Sequence, residues 1–332
     1  MDSKVRLADR NGIEIGYLDG VKVDIDIGTE NDFELRTSVQ NWDKQMTFGS
    51  LVYIEGTEFG GIIKEMESNT DEDVIYARGN TFRGMLAKKV IEPPKGENYR
   101  IVSGDVCDIV RDLIGEYGLS DLFSVADSIE TVEVSNFQFG RYVTLLDGII
   151  QMLQSINHRL SLAHIKESRD AGYVRVRIVP IQNHSGEMEL SQDCGLNFVA
   201  NEKRNGVNHL ICLGKGDLKD RVVKHLYVQK DGSIGEKQYY TGVEEVVETY
   251  DYNNAEVEEL VKNGMERLKE RMNSKVFKTY IKDDIQEEYE IGDIIAGRDY
   301  ITGITVRKPV IGKIYTFSEG TEKIEYKVEG DD

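Results

Sequence analysis

Apolar and polar side chains alternate strictly from Val21 to Ile27, where Val21, Val23, Ile25 and Ile27 are separated by Lys22, Asp24 and Asp26. A period of two places one set on each face of an extended chain, so the segment predicts a half-buried antiparallel strand. Further strands are predicted at Phe33 to Arg36, Leu51 to Glu55, Gly61 to Met66 and Val74 to Arg78, separated by glycine or by the acidic turn Asn69 to Asp73. Several short strands at this spacing predict a small barrel or sandwich.

After Pro93 and Pro94 the period lengthens. Val106, Ile109, Val110, Leu113, Ile114 and Tyr117 recur at helical spacing, with Ser103 placed to cap the segment and Gly118 just past its end. A second stripe, Leu145, Leu146, Ile149, Met152, Leu153 and Ile156, predicts a helix near Thr144 to Ile156. Strands follow at Leu160 to Ile165 and Tyr173 to Val179, so the middle segment reads as α+β. One more helix interrupts the strands of the last third. Asn254 precedes Val257, Leu260, Val261, Gly264, Leu268 and Met272, and Glu258 with Lys262 makes a favourable i,i+4 pair. Strands resume near Lys275 and continue through Ile291 to Ala296, Ile311 to Phe317 and the alternating Lys323 to Val328.

The chain of 332 residues is long enough for two or three domains, and its 39% apolar content can fill a core in each. Its Lys+Arg total of 41 against 60 Asp+Glu gives a net charge of −19, which excludes nucleic-acid binding through a general basic surface. Thirty-two glycines against 4 prolines describe a turn-rich folded protein rather than a proline-rich linker. The first residues contain no signal-peptide apolar core, and no run of about 18 apolar residues occurs, so synthesis and folding in the cytosol are expected.

An internal echo bears on assembly. Gly49 to Gly56 leads through Gly60 and Gly61 into Ile62 to Met66, and Gly292 to Gly297 leads through Gly303 and Gly312 into Lys313 to Phe317. Any two β-meanders share this pattern. If the echo is a true duplication, three copies of the chain supply six similar units to a ring.

Candidate chemistry is sparse. The cysteines Cys107, Cys194 and Cys212 are odd in number and never spaced as Cys-x-x-Cys, which predicts buried thiols rather than disulfides or a zinc ribbon. The histidines are His158, His164, His184, His209 and His225, and none lies in a nucleophile signature, including the one that Asp193-Cys194-Gly195 would require. Cys194, His209, Cys212 and His225 are the residue types of a metal site. However, His209 and Cys212 are three apart on a predicted strand and so point to opposite faces. Leu213-Gly-Lys-Gly-Asp-Leu218 lacks the third glycine and the following helix of a dinucleotide loop. With 60 carboxylates, catalytic pairs for glycoside hydrolysis cannot be chosen from sequence, and the acidic runs Asp71 to Asp73, Glu256 to Glu259 and Glu287 to Glu290 read as solvated faces and turns. No catalytic, cofactor-binding or metal residue is assigned.

Read in order, Asn205-Gly-Val-Asn-His-Leu-Ile-Cys-Leu-Gly-Lys-Gly216, Asp231-Gly-Ser-Ile234, the helix carrying Leu260, Gly264 and Leu268, and Tyr289-Glu-Ile-Gly-Asp-Ile-Ile295 resemble the hub proteins of phage tails and contractile injection particles. Arg78 to Pro93 resembles the point at which that family leaves its first barrel. The resemblance implies a β-rich α+β fold: a first tube-type barrel over 1–93, a mixed α+β domain over 94–183, and a second tube-type barrel over 184–332 with a helical insertion near 254–273. It further implies a non-enzymatic, cofactor-free homotrimer that forms a pseudo-sixfold ring at the virion tail tip or baseplate, assembled in the bacterial cytoplasm. Its partners would be a distal tail or tube-ring protein, a separate spike or tip protein, and the tape-measure protein. DNA would pass through without specific binding, and the acidic excess suits a wall that duplex DNA does not adhere to. Two other classes are a peptidoglycan-degrading tail enzyme and a soluble oligosaccharide-binding barrel protein.

Overall fold

A computed structural model describes residues 4–328, except 129, 167–170, 185–195, 204–205, 273, 282–288, 299–304 and 319. Cys194 with its neighbours Asp193 and Gly195, Asn205, Glu287 and Gly303 therefore lie outside the described residues. The chain is β-rich with interspersed helices and divides into two compact units, residues 1–198 with 278–332, and residues 199–277.

Seven strands open the larger unit: β1 (Val5–Ala8), β2 (Glu14–Tyr17), β3 (Val21–Ile27), β4 (Asp32–Ser38), β5 (Leu51–Ile54), β6 (Gly60–Asn69) and β7 (Val74–Thr81). In β3 the side chains of Val21, Val23, Ile25 and Ile27 are buried, as the alternation requires. A segment of helices and short strands follows: α1 (Phe82–Ala87), β8 (Ile101–Asp105), α2 (Val106–Glu116), β9 (Phe123–Val125), β10 (Glu133–Gln138), α3 (Leu145–Gln154), β11 (His158–Ile165) and β12 (Tyr173–Pro180). The predicted stripes of α2 and α3 meet the sheet β11-β12-β9 in one core containing Val110, Leu113, Ile149, Met152, Leu160 and Val176. The cap of α2 is Asp105 rather than Ser103: its Oδ1 accepts from the backbone N–H groups of Cys107 (2.8 Å) and Asp108 (3.2 Å), whereas Ser103 Oγ accepts from the N–H of Asn136.

In the smaller unit, β14 (His209–Leu213), β15 (Val223–Val228), β16 (Ile234–Gly235) and β17 (Val247–Asp251) form a sheet in the order β16-β15-β14-β17. The helix α4 (Val257–Arg271) lies within the stretch predicted to be helical. Its buried Leu260, Gly264 and Leu268 pack with Leu210, Cys212 and Leu226. The chain enters this unit through β13 (Leu196–Lys203) and leaves it through β18 (Ser274–Ile281), which pair with each other.

The last strands, β19 (Ile294–Arg298), β20 (Thr305–Ser318) and β21 (Thr321–Val328), return to the larger unit. There β20 pairs antiparallel with β3, joining Lys313 to Phe317 with Ile27 to Val23. The result is one ten-stranded sheet, β19-β20-β3-β4-β7-β6-β5-β1-β2, with β21 on β20. β20 finds its hydrogen-bonding edge in β3, a pairing that local periodicity does not reveal. Lys4 Nζ, just before β1, lies 3.2 Å from Glu322 Oε1 on β21.

Gly264 sets how closely α4 approaches its sheet. A Cβ at this position would lie 2.6 Å from Cys212 Sγ and 2.9 Å from Leu226 Cδ1. Helix propensity alone would favour Gly264→Ala by up to ~1 kcal/mol, whereas overpacking costs ~1–3 kcal/mol. A net loss of stability is expected in thermal unfolding, and the loss should shrink in a Cys212→Ala background; equal penalties in both backgrounds would refute the contact.

Candidate functional site

The outward faces of β3, β4, β7 and β6 carry a row of charges set by strand register. Asp24 stands opposite Glu34, Glu34 opposite Arg78, and Arg78 opposite Glu65. Arg78 donates to Glu34 (2.6 Å), Glu65 (2.8 Å) and Glu67 (2.7 Å), and these bonds hold its guanidinium firmly charged. Asp24 has no such cation among the described residues. Burial first, then Asp26, Glu34, Asp32 and Glu325, push its carboxyl above the usual range; burial, Asp26 and Glu30 do the same to Asp32. Like charges directly opposite each other across strands are destabilising, so the row is retained at a cost to the sheet. Asp26 is the exception within it. Burial pushes its carboxyl up, but Lys327 Nζ at 2.8 Å, the Thr29 hydroxyl at 2.6 Å and the Glu30 N–H at 3.0 Å outweigh burial and bring it down.

A cleft of 470 Å³ opens beside β21, the β5–β6 turn and β11, lined by Glu58, Arg159, Arg177, Lys313, Tyr315 and Tyr326 among others. Its carboxylates are tied to cations: Glu58 to Arg83 (3.1 Å), Glu290 to Lys313 (2.9 Å), Glu55 to Arg6 (2.6 Å) and Glu322 to Lys4 (3.2 Å). Behind it, buried Asp293 accepts from Arg159 Nε (2.7 Å) and the N–H of Gln182 (2.8 Å). Arg83 on α1 also donates to the Leu160 carbonyl at 3.1 Å, linking the segment that leaves the first strands to β11. A buried pair of this kind adds little net stability, but losing one member would cost ~3–5 kcal/mol. These carboxylates hold elements together instead of standing free as an acid and a base.

His158 Nδ1 lies 2.7 Å from the Ile156 carbonyl, and His184 Nε2 lies 3.9 Å from Asp293. In the smaller unit His209 and His225 meet at 2.8 Å, while Cys212 points to the opposite face, beneath α4. Alternation therefore separates His209 from Cys212 as the sequence requires. Burial raises the Cys107 thiol and pushes the Cys212 thiol up to about 11, so both remain protonated at neutral pH. Among the described residues no group of three or more His, Cys, Asp and Glu is arranged to hold a metal ion, and no helix is long and apolar enough to cross a membrane.

His164 is completely buried at the junction of three loops. Its backbone accepts from the N–H of Gly56 (2.9 Å) and donates to the Thr57 carbonyl (2.8 Å). Its ring stacks on Tyr53 at 3.7 Å, and among the described residues neither ring nitrogen has a hydrogen-bond partner. Gly172 lies against it, where a Cβ would sit 2.4 Å from Cε1, and the N–H of Gly172 donates to the Gly12 carbonyl. Burial, with Arg6 nearby, lowers the imidazole from 6.5 to about 4. No sequence signal marks this residue beyond its apolar neighbours on β11.

No family model and no curated protein matches the sequence. Solved structures do match in fold. The chain is similar to the 43 kDa tail protein of prophage MuSo2 from Shewanella oneidensis, at 12% identity and a TM-score of 0.55, over 98% of this chain and 97% of that one. It is also similar to the tail protein from Neisseria meningitidis MC58, at 13% identity and a TM-score of 0.51, over 98% and 95%. The fold is that of phage tail proteins, the group whose hub members the sequence motifs resemble.

Because the folded state disfavours the charged form of His164, the unfolded chain binds more protons between pH 6.5 and about 4. Stability should therefore fall as pH drops through that window, by ~3 kcal/mol when complete. Denaturant unfolding at stepped pH should show the slope in the parent and its reduction in His164→Phe; an unchanged slope in the variant would assign it to other groups.

Proposed function

We propose that this chain is a non-enzymatic structural hub of a phage or phage-like tail tip or baseplate. The observation that carries the reading is the ten-stranded sheet, built from both ends of the chain, in a fold shared with prophage tail proteins. In this proposal three copies form a pseudo-sixfold ring. The first tube-type barrel, over 1–93, includes β1 to β7, and the second, over 184–332 with its helical insertion, includes β19 to β21; the two meet edge to edge through β3 and β20. The ring binds a distal tube-ring protein on one side and a separate spike or tip protein on the other, with the tape-measure protein and then DNA passing through the lumen.

The acidic row on β3, β4 and β6 supports a role for that face as the lumen wall. Duplex DNA carries one negative charge per ~1.7 Å, and screening over ~8 Å at physiological salt confines the effect to charges lining the passage. An acidic wall offers no site for phosphate contacts. In contrast to a binding surface, it leaves the duplex free to slide.

Light scattering and negative-stain imaging of the full chain, alone and with its tube-ring protein, should show a threefold ring. A chain that remains monomeric with that protein, and whose peptidoglycan clearing is abolished by one carboxylate substitution, would overturn the hub reading in favour of an enzyme. For the wall, rings carrying Asp24→Lys and Glu34→Lys should retain duplex DNA at low salt and release it as salt rises. Retention no greater than that of the parent ring would place the acidic face away from the passage.

A further inference from the structure

We propose that His209 and His225 form a two-histidine site for a divalent transition-metal ion of tetragonal preference, copper(II) or nickel(II), with Glu245 supporting it from behind. The site lies wholly within the smaller unit and does not depend on the hub reading.

Strand register brings the ligands together. Because His209 pairs with Tyr227 and Ile211 with His225, the two histidines share the face of the sheet opposite α4 and are diagonal neighbours. His209 Nε2 lies 2.8 Å from His225 Nδ1, with the ring centroids 5.1 Å apart. The tautomer of His209 follows from its other contact. Glu245 Oε1 lies 2.7 Å from His209 Nδ1, and an ionised carboxylate only accepts, so Nδ1 carries the hydrogen and Nε2 presents a lone pair. Gln238 Nε2 donates to the same carboxylate oxygen at 2.9 Å, and Tyr227 stacks on the His209 ring at 4.4 Å. A carboxylate on the far nitrogen of an imidazole is the outer support that metal-ligating histidines ordinarily carry.

The separation of the nitrogens bears on which ion fits. With metal–nitrogen bonds of ~2.0–2.1 Å, ligands at 90° stand ~2.9 Å apart, whereas tetrahedral ligands stand ~3.3 Å apart. The observed 2.8 Å is that of an N–H···N hydrogen bond, so once the hydrogen leaves Nδ1 the two nitrogens stand near the cis separation of a tetragonal ion and would open further for zinc. His209 is buried and fixed, but His225 is exposed, so the ion enters from the solvent side. On binding, His225 moves its ring hydrogen from Nδ1 to its other nitrogen, and a small rotation of this exposed ring replaces the shared proton with the ion. Among the described residues no third protein ligand joins the pair, so water completes the coordination sphere.

Copper(II) titrated into the full chain, with accessible thiols blocked, should bind at one equivalent, with a paramagnetic resonance spectrum showing hyperfine coupling to two imidazole nitrogens. His225→Ala, at an exposed position and checked for an intact fold by circular dichroism, should remove one coupling and weaken binding at least tenfold. Glu245→Gln should retain both couplings and weaken binding by ~10–100-fold. Absence of binding in the parent, or a spectrum and affinity unchanged by His225→Ala, would overturn the site.

Discussion

The larger unit depends on one antiparallel pairing, that of β20 with β3. Through it the last strands of the chain join a sheet whose other members lie within the first 81 residues. Tyr315 opposes Ile25 and Phe317 opposes Val23, all four buried. Because the side-chain period of a strand is two, a slip of β20 by one residue would bring Thr316 to the core face in place of Tyr315 and Phe317. The register is held outside the core as well. Lys327 on β21 reaches across to Asp26 and Thr29, so a charged contact on one face and aromatic packing on the other specify the same alignment.

The charges of this unit are arranged in two ways. Around the cleft, each lining carboxylate is matched by a cation, and the Arg83–Glu58 pair lies deep enough that removing either partner would leave an uncompensated charge in the interior. On the outer sheet face, Arg78 gathers three glutamates while Asp24 and Asp32 remain crowded by like charge. The first arrangement fixes elements together. The second concentrates like charge at a surface, at a cost to the stability of the isolated chain.

Much of this was legible in the sequence where a pattern was long and local. The alternation of β3, the helical stripes of α2, α3 and α4, and the Leu260, Gly264 and Leu268 face of the last helix all follow from period alone. Short elements such as α1 and β9 did not emerge, because six or three residues give no period to read. The partner of β20 was hidden for another reason: nothing in a strand's own sequence names an edge almost 300 residues away. The site residues divide in the same manner. Opposite faces for His209 and Cys212 follow from strand geometry, but the meeting of His209 with His225 needs the register of two strands, and Glu245 arrives from a loop. The solitude of buried His164 is a property of three-dimensional packing, with no local signature.

The distance along the chain between β3 and β20 has a consequence for synthesis. At ~5–20 residues per second, a ribosome takes on the order of 15–60 s to make the intervening stretch, so β3 emerges and pairs with β4 long before its second neighbour exists. For that interval one edge of a growing sheet is open, the situation in which strands recruit wrong partners. Lys22, Asp24 and Asp26 stand on that waiting edge. A like strand from another nascent chain, docking in parallel, would bring these charges against their own kind, so the residues that give the finished face its field also discourage premature pairing during translation.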